Sequence, residues 1–261
     1  QTDALLMVIP AFRPGEKPQA PGVAAELEEE FILADLEVLE NRLTRLEHDL
    51  KRGVKGNLER EKALLDRCRV QLEAGKPLRD LNLSADELKS LRSFTFLTLK
   101  QALPVLNIAE EDIPNRKKIE ADFREEFGRE GISVCATIQS EIADLPPEDK
   151  AAFMQELGVK ESASDKVIRK TRSILDLITF LTAGEQEAHA WDLKKGATAL
   201  DAAGTIHSDL ARGFIRAEVY HYEDFVKHPS EAELKAKGLM RLEGKDYVVK
   251  DGDVLLIRFK V

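Results

Sequence analysis

Cysteine is scarce in this 261-residue chain, which carries Cys68 and Cys135 alone. One disulfide is arithmetically available, but two thiols in a chain of this length fit a reducing compartment better than a disulfide scaffold. Long hydrophobic runs are also missing. No apolar stretch approaches the ~20 residues that span a bilayer. Gln1-Thr2-Asp3 brings no basic region ahead of Ala4–Pro10, so no signal peptide is read there. An excess of basic charge is lacking too. The formal net charge of −9 excludes a protein that coats nucleic acid by bulk electrostatics, and any RNA contact needs a local patch. The five histidines, at 48, 189, 207, 221 and 228, show neither H-x-x-x-H nor H-E-x-x-H spacing, so no metal site is expected. His207 has no serine, cysteine and carboxylate arrangement beside it that would form a triad, and no catalytic residue is assigned. These absences point to a soluble, cytoplasmic protein with no membrane segment and no sequence-specific reading of DNA.

The chain is 43% hydrophobic and 33% charged, enough for a sizeable core in one large domain or two ordinary ones. Ala4–Pro10 is an uninterrupted apolar run of strand length, the pattern of a strand buried on both faces of a parallel sheet. Such a strand needs neighbours, supplied by later strands or by a preceding part of the sheet. Residues 11 to 25, rich in proline and glycine, read as a loop. From Glu26, Ile32, Leu36, Leu39, Leu43, Leu46 and Leu50 alternate spacings of four and three, the seam of a coiled coil. Gly53 and Gly56 interrupt it, and Leu58, Leu65, Cys68 and Leu72 resume it, which predicts an antiparallel helical hairpin. Its base is acidic (Glu26, Glu28, Glu29, Glu30). Its tip is basic, with Lys51, Arg52, Lys55, Arg60 and Lys62, and with Arg42 and Arg45 below. That tip is a candidate contact for RNA phosphate, weighed against an ordinary solvated helix face.

Ser84-Ala85-Asp86-Glu87 has the form of a capping box. Leu103–Asn107 and Ile132–Ala136 read as short strands, separated by an amphipathic helix over residues 116 to 130. Strands alternating with helices imply parallel pairing. Helices are predicted from Pro147 to Leu157 and from Ser162 through Leu181, closed by Gly184. A strand at 189–193, a turn at 194–196 and a helix from a Thr198/Asp201 cap to about Arg212 follow. Then come a strand at 213–219, short helices at 223–227 and 230–237, and strands at 247–249 and 254–261 turning at Asp251-Gly252. A mixed sheet crossed by one main helix is a β-grasp arrangement.

Several stretches resemble the YchF/Obg-like P-loop ATPases: Leu81–Ala85, Phe94–Lys100, Phe153–Gly158, Ala202–Asp209 with Gly213–Glu218, and Glu243–Val254. The resemblance runs from the first strand to Val261, and the chain looks like the C-terminal two-thirds of such a protein. It implies an α/β G domain in two parts, residues 1–25 and 96–182, with the helical coiled-coil hairpin inserted at 26–95 and an α+β TGS domain of β-grasp type at 183–261. It also implies ATP or GTP with Mg2+ as ligand of the complete family protein and a link to ribosomes. The sequence contains no G-x-x-x-x-G-K-[ST], whose amides and lysine stabilise the β- and γ-phosphates, and no D-x-x-G element is read on the magnesium side. The chain by itself is therefore expected to bind no nucleotide firmly and to hydrolyse none.

Asn107-Ile108-Ala109-Glu110 stands where the family places its base-recognition motif. Asn107 and the backbone of Ile108 would read the base edge, with Glu110 in place of the aspartate that selects guanine. Cys135-Ala136-Thr137 would cover the base face, while Gln139 occupies a position where the family commonly has glutamate. From residue 183 onward, 12 basic residues face 14 acidic ones, a net of −2, so nucleic-acid contact there must be focal, as at Arg212, Arg216 and Lys245. The competing reading is a non-catalytic module that docks to RNA, ribosome or protein through the helical arm and the last domain.

Overall fold

The computed structural model describes residues 2–13, 15, 19–52, 57–159, 161–184 and 187–260. The chain divides into two compact units, Gln1–Thr171 and Arg172–Val261.

The first unit is built on a three-stranded parallel sheet of order β1-β2-β3, with β1 at Ala4–Ala11, β2 at Gln101–Ile108 and β3 at Ile132–Val134. β1 and β2 pair along their whole length, Ala4 beside Gln101 through Ala11 beside Ile108. Met7, Ile9 and Ala11 point into a core shared with Leu106, Phe123 and Ile138. The expected burial of β1 on both faces is not met. Leu6 is 50% and Val8 66% exposed, because they alternate with Met7 and Ile9 and so lie on the sheet face opposite that core.

Helix α1 runs from Ala20 to Lys51, six residues longer at its start than the loop reading of 11–25 allowed. Pro21 lies in its first turn, where the missing N–H has no intrahelical partner to lose. Helix α2 (Asn57–Glu73) runs in the opposite direction. Glu40 pairs with Arg69 and Glu47 with Lys62, so rising number on one helix meets falling number on the other. Leu39, Leu43 and Leu46 bury against Leu64, Leu65, Cys68 and Leu72. Burial pushes the Cys68 thiol up to about 11. The turn expected at Gly53 and Gly56 lies outside the described residues. A capping box at Ser84 opens α3 (Ala85–Leu91), with Ser84 Oγ accepting from the Glu87 amide and the Glu87 carboxylate accepting from the Ser84 amide. Helices α4 (Arg116–Phe127), α5 (Ala136–Asp144), α6 (Pro147–Glu156) and α7 (Ala163–Ile174) follow. Gly128, at φ 80°, ends α4 in the left-handed conformation that glycine adopts freely.

The second unit corrects three expectations. Residues 177–181 are strand, not helix: α7 stops at Ile174, Asp176 sits at φ 53°, and β4 covers Leu177–Ala183. The β-branched and aromatic run Ile178-Thr179-Phe180 suits a pleated surface. The helix predicted over 198–212 breaks at His207, whose extended backbone separates α8 (Ala199–Ile206) from α9 (Ser208–Arg212). Tyr247–Val249 forms no strand, although Val248 makes one bridge to Thr198. The strand there is β7 at Arg241–Glu243. With β5 (Ala188–Lys194), β6 (Phe214–His221) and β8 (Asp253–Phe259), the five strands lie in the order β5-β4-β8-β6-β7. β4 and β8 are parallel and the other neighbours antiparallel. Helix α8 packs Ala199 and Ala202 on Phe180, Ala217, Val219 and Leu255. Short helices α10 (Tyr222–Lys227) and α11 (Glu231–Ala236) complete the unit.

Candidate functional site

Parallel strands place their C-terminal ends side by side, and ligands of α/β sheets bind outside those ends. Here β2 and β3 are in register with Asn107 beside Val134, so the loops after Ile108 and Val134 are neighbours. One hydrogen bond joins them: Asn107 Oδ1 accepts from the Ala136 amide at 3.1 Å. Ala136 opens α5, and its N-cap residue, Cys135, gives no side-chain cap. The Asn107 carboxamide therefore satisfies one of the amides a helix start leaves free. With Oδ1 so placed, the Nδ2 end of Asn107 is left without a partner among the described residues and can donate to a ring-nitrogen acceptor.

Ile108 is 3% exposed and packs with Ile113, Cys135 and Ile138. Its side chain thus belongs to the core. Glu110 is exposed at the start of a 3-10 turn, Glu110–Asn115, and makes no ion pair among the described residues. Gln139 is already engaged: its Oε1 accepts from the Ala163 amide at 2.6 Å and tethers α7 to α5. A cavity of about 170 Å³ opens beside Ile108 and Cys135, bounded by Arg116, Ile138, Gln139 and Lys166. Its cations are already engaged. Lys166 donates to Glu120 at 2.8 Å and to the Ser133 carbonyl at 3.0 Å, and Arg116 donates to the carbonyls of Ile113 and Gly158. Glu120 also accepts from the Ser133 amide at 2.7 Å, so one carboxylate ties α4, β3 and α7 together. Sequence reading gave no sign of this node, because its members lie 13 to 46 residues apart.

The basic residues of the arm separate into two groups. Lys51, Arg52 and Arg60 are exposed and make no ion pair among the described residues. Lys62 is engaged by Asp66 at 3.0 Å and Glu47 at 3.7 Å, the Asp66 hydrogen bond holding its ammonium above the usual range. Arg42 chelates Glu61 at 2.7 and 2.9 Å. Lys55 lies outside the described residues.

The C-terminal family YchF-GTPase_C, described as a protein of unknown function (DUF933), matches residues 177–260. A ribosome-binding ATPase YchF of Escherichia coli O157:H7 is 42% identical over 235 residues, which are 89% of this chain and 64% of that protein. The ribosome-binding ATPase YchF of Bacillus subtilis (strain 168) is 40% identical over 272 aligned residues, covering 100% of this chain and 74% of the relative. The chain belongs to the YchF/Obg-like ATPase family. The solved structure of the Schizosaccharomyces pombe YchF GTPase superposes with a TM-score of 0.80 at 25% identity, covering 98% of this chain and 72% of that one. It shares the mixed α/β fold with a parallel sheet and flanking helices. This family member thus spans 64% of the length of its Escherichia coli relative and 74% of its Bacillus one.

In the second unit of this YchF-family chain the candidate residues are dispersed. Arg212 on α9 is paired with Asp209. Arg216 on β6 stands opposite Arg258 of β8, whose guanidinium is held by Glu218 at 3.1 and 3.2 Å. Lys245 is exposed after β7. His207 is a cap: its Nδ1 accepts from the Asp209 amide at 3.2 Å. Among the described residues no group of three or more His, Cys, Asp or Glu could hold a metal, and no helix is long and apolar enough to cross a membrane.

Proposed function

We propose that this chain carries the base-recognition half of the nucleotide site of a YchF-type ATPase. The observation that carries this reading is the 3.1 Å bond from the Ala136 amide to Asn107 Oδ1, which joins two loops at the ends of adjacent parallel strands and engages the oxygen rather than the nitrogen of the Asn107 amide. An adenine offers a ring-nitrogen acceptor to Asn107 Nδ2 and an amino group to the backbone carbonyls of the Ile108 loop. Glu110 takes the place of the carboxylate that selects guanine, and Cys135 and Ala136 cover the base face. In this reading residues 1–25 and 96–182 form a G domain, 26–95 a coiled-coil insertion, and 183–261 a TGS domain of β-grasp type. ATP hydrolysis with Mg2+ further requires a phosphate cradle of the G-x-x-x-x-G-K-[ST] kind, which these 261 residues do not contain.

Calorimetry with ATP and GTP tests the base site. The chain alone is expected to give little heat, and a chimaera bearing a phosphate-binding segment from a relative to bind ATP. In that chimaera Asn107→Ala should weaken ATP by about tenfold, the worth of one ligand hydrogen bond and its loop contact. Equal affinity of the variant and its parent for both nucleotides would sink the reading, and so would firm MgATP binding by the chain alone.

Lys51, Arg52 and Arg60, exposed and without an ion pair among the described residues, favour a second role, docking of the arm to ribosomal phosphate. The relatives named ribosome-binding support it, and with it a cytoplasmic place. Co-sedimentation with ribosomes should fall with salt, and the Lys51→Ala, Arg52→Ala pair should lower the log–log slope by about two, one per lost phosphate contact. An unchanged slope speaks against the arm as the contact.

A further inference from the structure

Three charged side chains with little exposure, Glu28, Asp35 and Arg79, gather where α1 meets the segment that leads into β2. Glu28 and Asp35 lie seven residues apart on α1, two turns along one face. The Asp35 carboxylate, 2% exposed, accepts from the amides of Leu97 and Thr98 at 2.8 Å each and from Thr98 Oγ1 at 2.6 Å. Thr98 is fully buried, and its hydroxyl also accepts from the Leu78 amide at 3.2 Å. The Thr98 carbonyl accepts from the Arg79 amide at 3.0 Å and from Arg79 Nη1 at 3.3 Å. Arg79 in turn pairs with Glu28 and donates to the Lys100 carbonyl. Three passages of chain therefore meet on one threonine: α1, the stretch after α2, and the entry to β2.

We propose that Thr98, held by Asp35 and Arg79, is a positioning residue that welds the helical pair to β2, so that displacement of the arm is transmitted to the Asn107–Ala136 contact. The proposal rests on reading that contact as part of the base site. Its geometry is that of a lever with comparable arms. Lys51 lies sixteen helical residues beyond Asp35, about 24 Å, and Asn107 lies six strand residues beyond Gln101, about 20 Å. β2 is laddered on one side to all of β1 and on the other to β3, so it moves as a strip. The coupling gives a phosphate-bearing partner at the arm tip a route to the loops after β2 and β3.

Amide hydrogen exchange of the full chain, read by NMR at Ala136, tests this. Ala136 donates to Asn107 and, among the described residues, shares no hydrogen bond with those at the weld. Thr98→Val removes the hydroxyl at nearly constant volume, and is expected to raise Ala136 exchange by about tenfold together with the amides of α1. Thr98→Ser, which keeps the hydroxyl, should stay within about twofold of the parent. Asp35→Asn, which keeps an acceptor oxygen but loses the charge, should behave as Thr98→Val does. Faster exchange confined to residues 78–79 and 97–98 in both Thr98→Val and Asp35→Asn would overturn the proposal and leave a local staple. No nucleotide is present in this experiment. Coupled exchange at Ala136 with unaltered nucleotide affinity in Asn107→Ala would therefore keep the weld and remove the base reading.

Discussion

An Arg79→Ala chain is expected to lose about 3–5 kcal/mol of stability. The Arg79 side chain is 2% exposed and its partner Glu28 15%. Burial lowers the guanidinium pKa to about 10, with Arg129 adding to the depression and Asp80 opposing it, so the group is still a cation at neutral pH. Truncation leaves Glu28 with Arg129 at 3.9 Å and strips donors from the carbonyls of Thr98 and Lys100. An uncompensated buried carboxylate is what makes breaking such a pair so damaging, whereas replacing both partners by uncharged groups removes the cost of burying the ions as well. Urea unfolding of Arg79→Ala, Glu28→Gln and an Arg79→Met, Glu28→Gln double variant separates the two effects. The double variant should recover at least half of the loss. A single-variant loss below about 1 kcal/mol, the range of an exposed pair, would mean that water reaches the site.

Gly213→Ala should be nearly as damaging in the second unit, at about 3 kcal/mol, the upper range of overpacking. A Cβ on Gly213 would stand 2.3 Å from the Lys260 carbonyl oxygen and 2.9 Å from its carbon. These are backbone atoms that no rotamer change can move aside. The same two residues pair through the Lys260 amide and the Gly213 carbonyl at 2.9 Å. Relief therefore requires opening the end of the β6–β8 ladder, where a register shift already lies between Phe214 and Arg216. Thermal unfolding should report the loss, with Gly204→Ala as the contrast. That Cβ would meet the nearest neighbour at an ordinary 3.7 Å, on the Ala211 methyl. Similar melting temperatures for the two variants would show that β8 ends more loosely than its ladder implies.

What the sequence made legible follows from local rules. The four-three seam from Ile32 to Leu46 predicted the buried face of α1, and the Ser84 and Thr198 capping boxes marked true helix starts. Alternating strands and helices announced the parallel sheet. The failures have equally physical causes. Ile174, Leu177, Ile178 and Leu181 satisfy a helical spacing as well as a strand one, and the choice falls to Asp176, whose left-handed backbone no local pattern reveals. The break at His207 depends on an imidazole accepting from an amide two residues on, a role more often taken by serine or aspartate. No local pattern marks Asp35 or Arg79 as buried. Asp35 finds its donors 62 and 63 residues away, beyond the reach of any window. In the candidate site the pattern named Asn107 and Cys135–Ala136, but not the bond that joins Asn107 to Ala136 across 29 residues.

The ladder between β1 and β2 has a consequence for the order of assembly. It joins Ala4 to Gln101, so from an open chain it must close a loop of nearly a hundred residues, the kind of remote pairing that slows folding. Two helices that run out and back return the chain close to where it left, and most of that loop disappears once they zip together through contacts local to residues 20–73. Sheet formation then waits on the arm. In this order of events the helical pair serves as a scaffold that draws β1 and β2 into register.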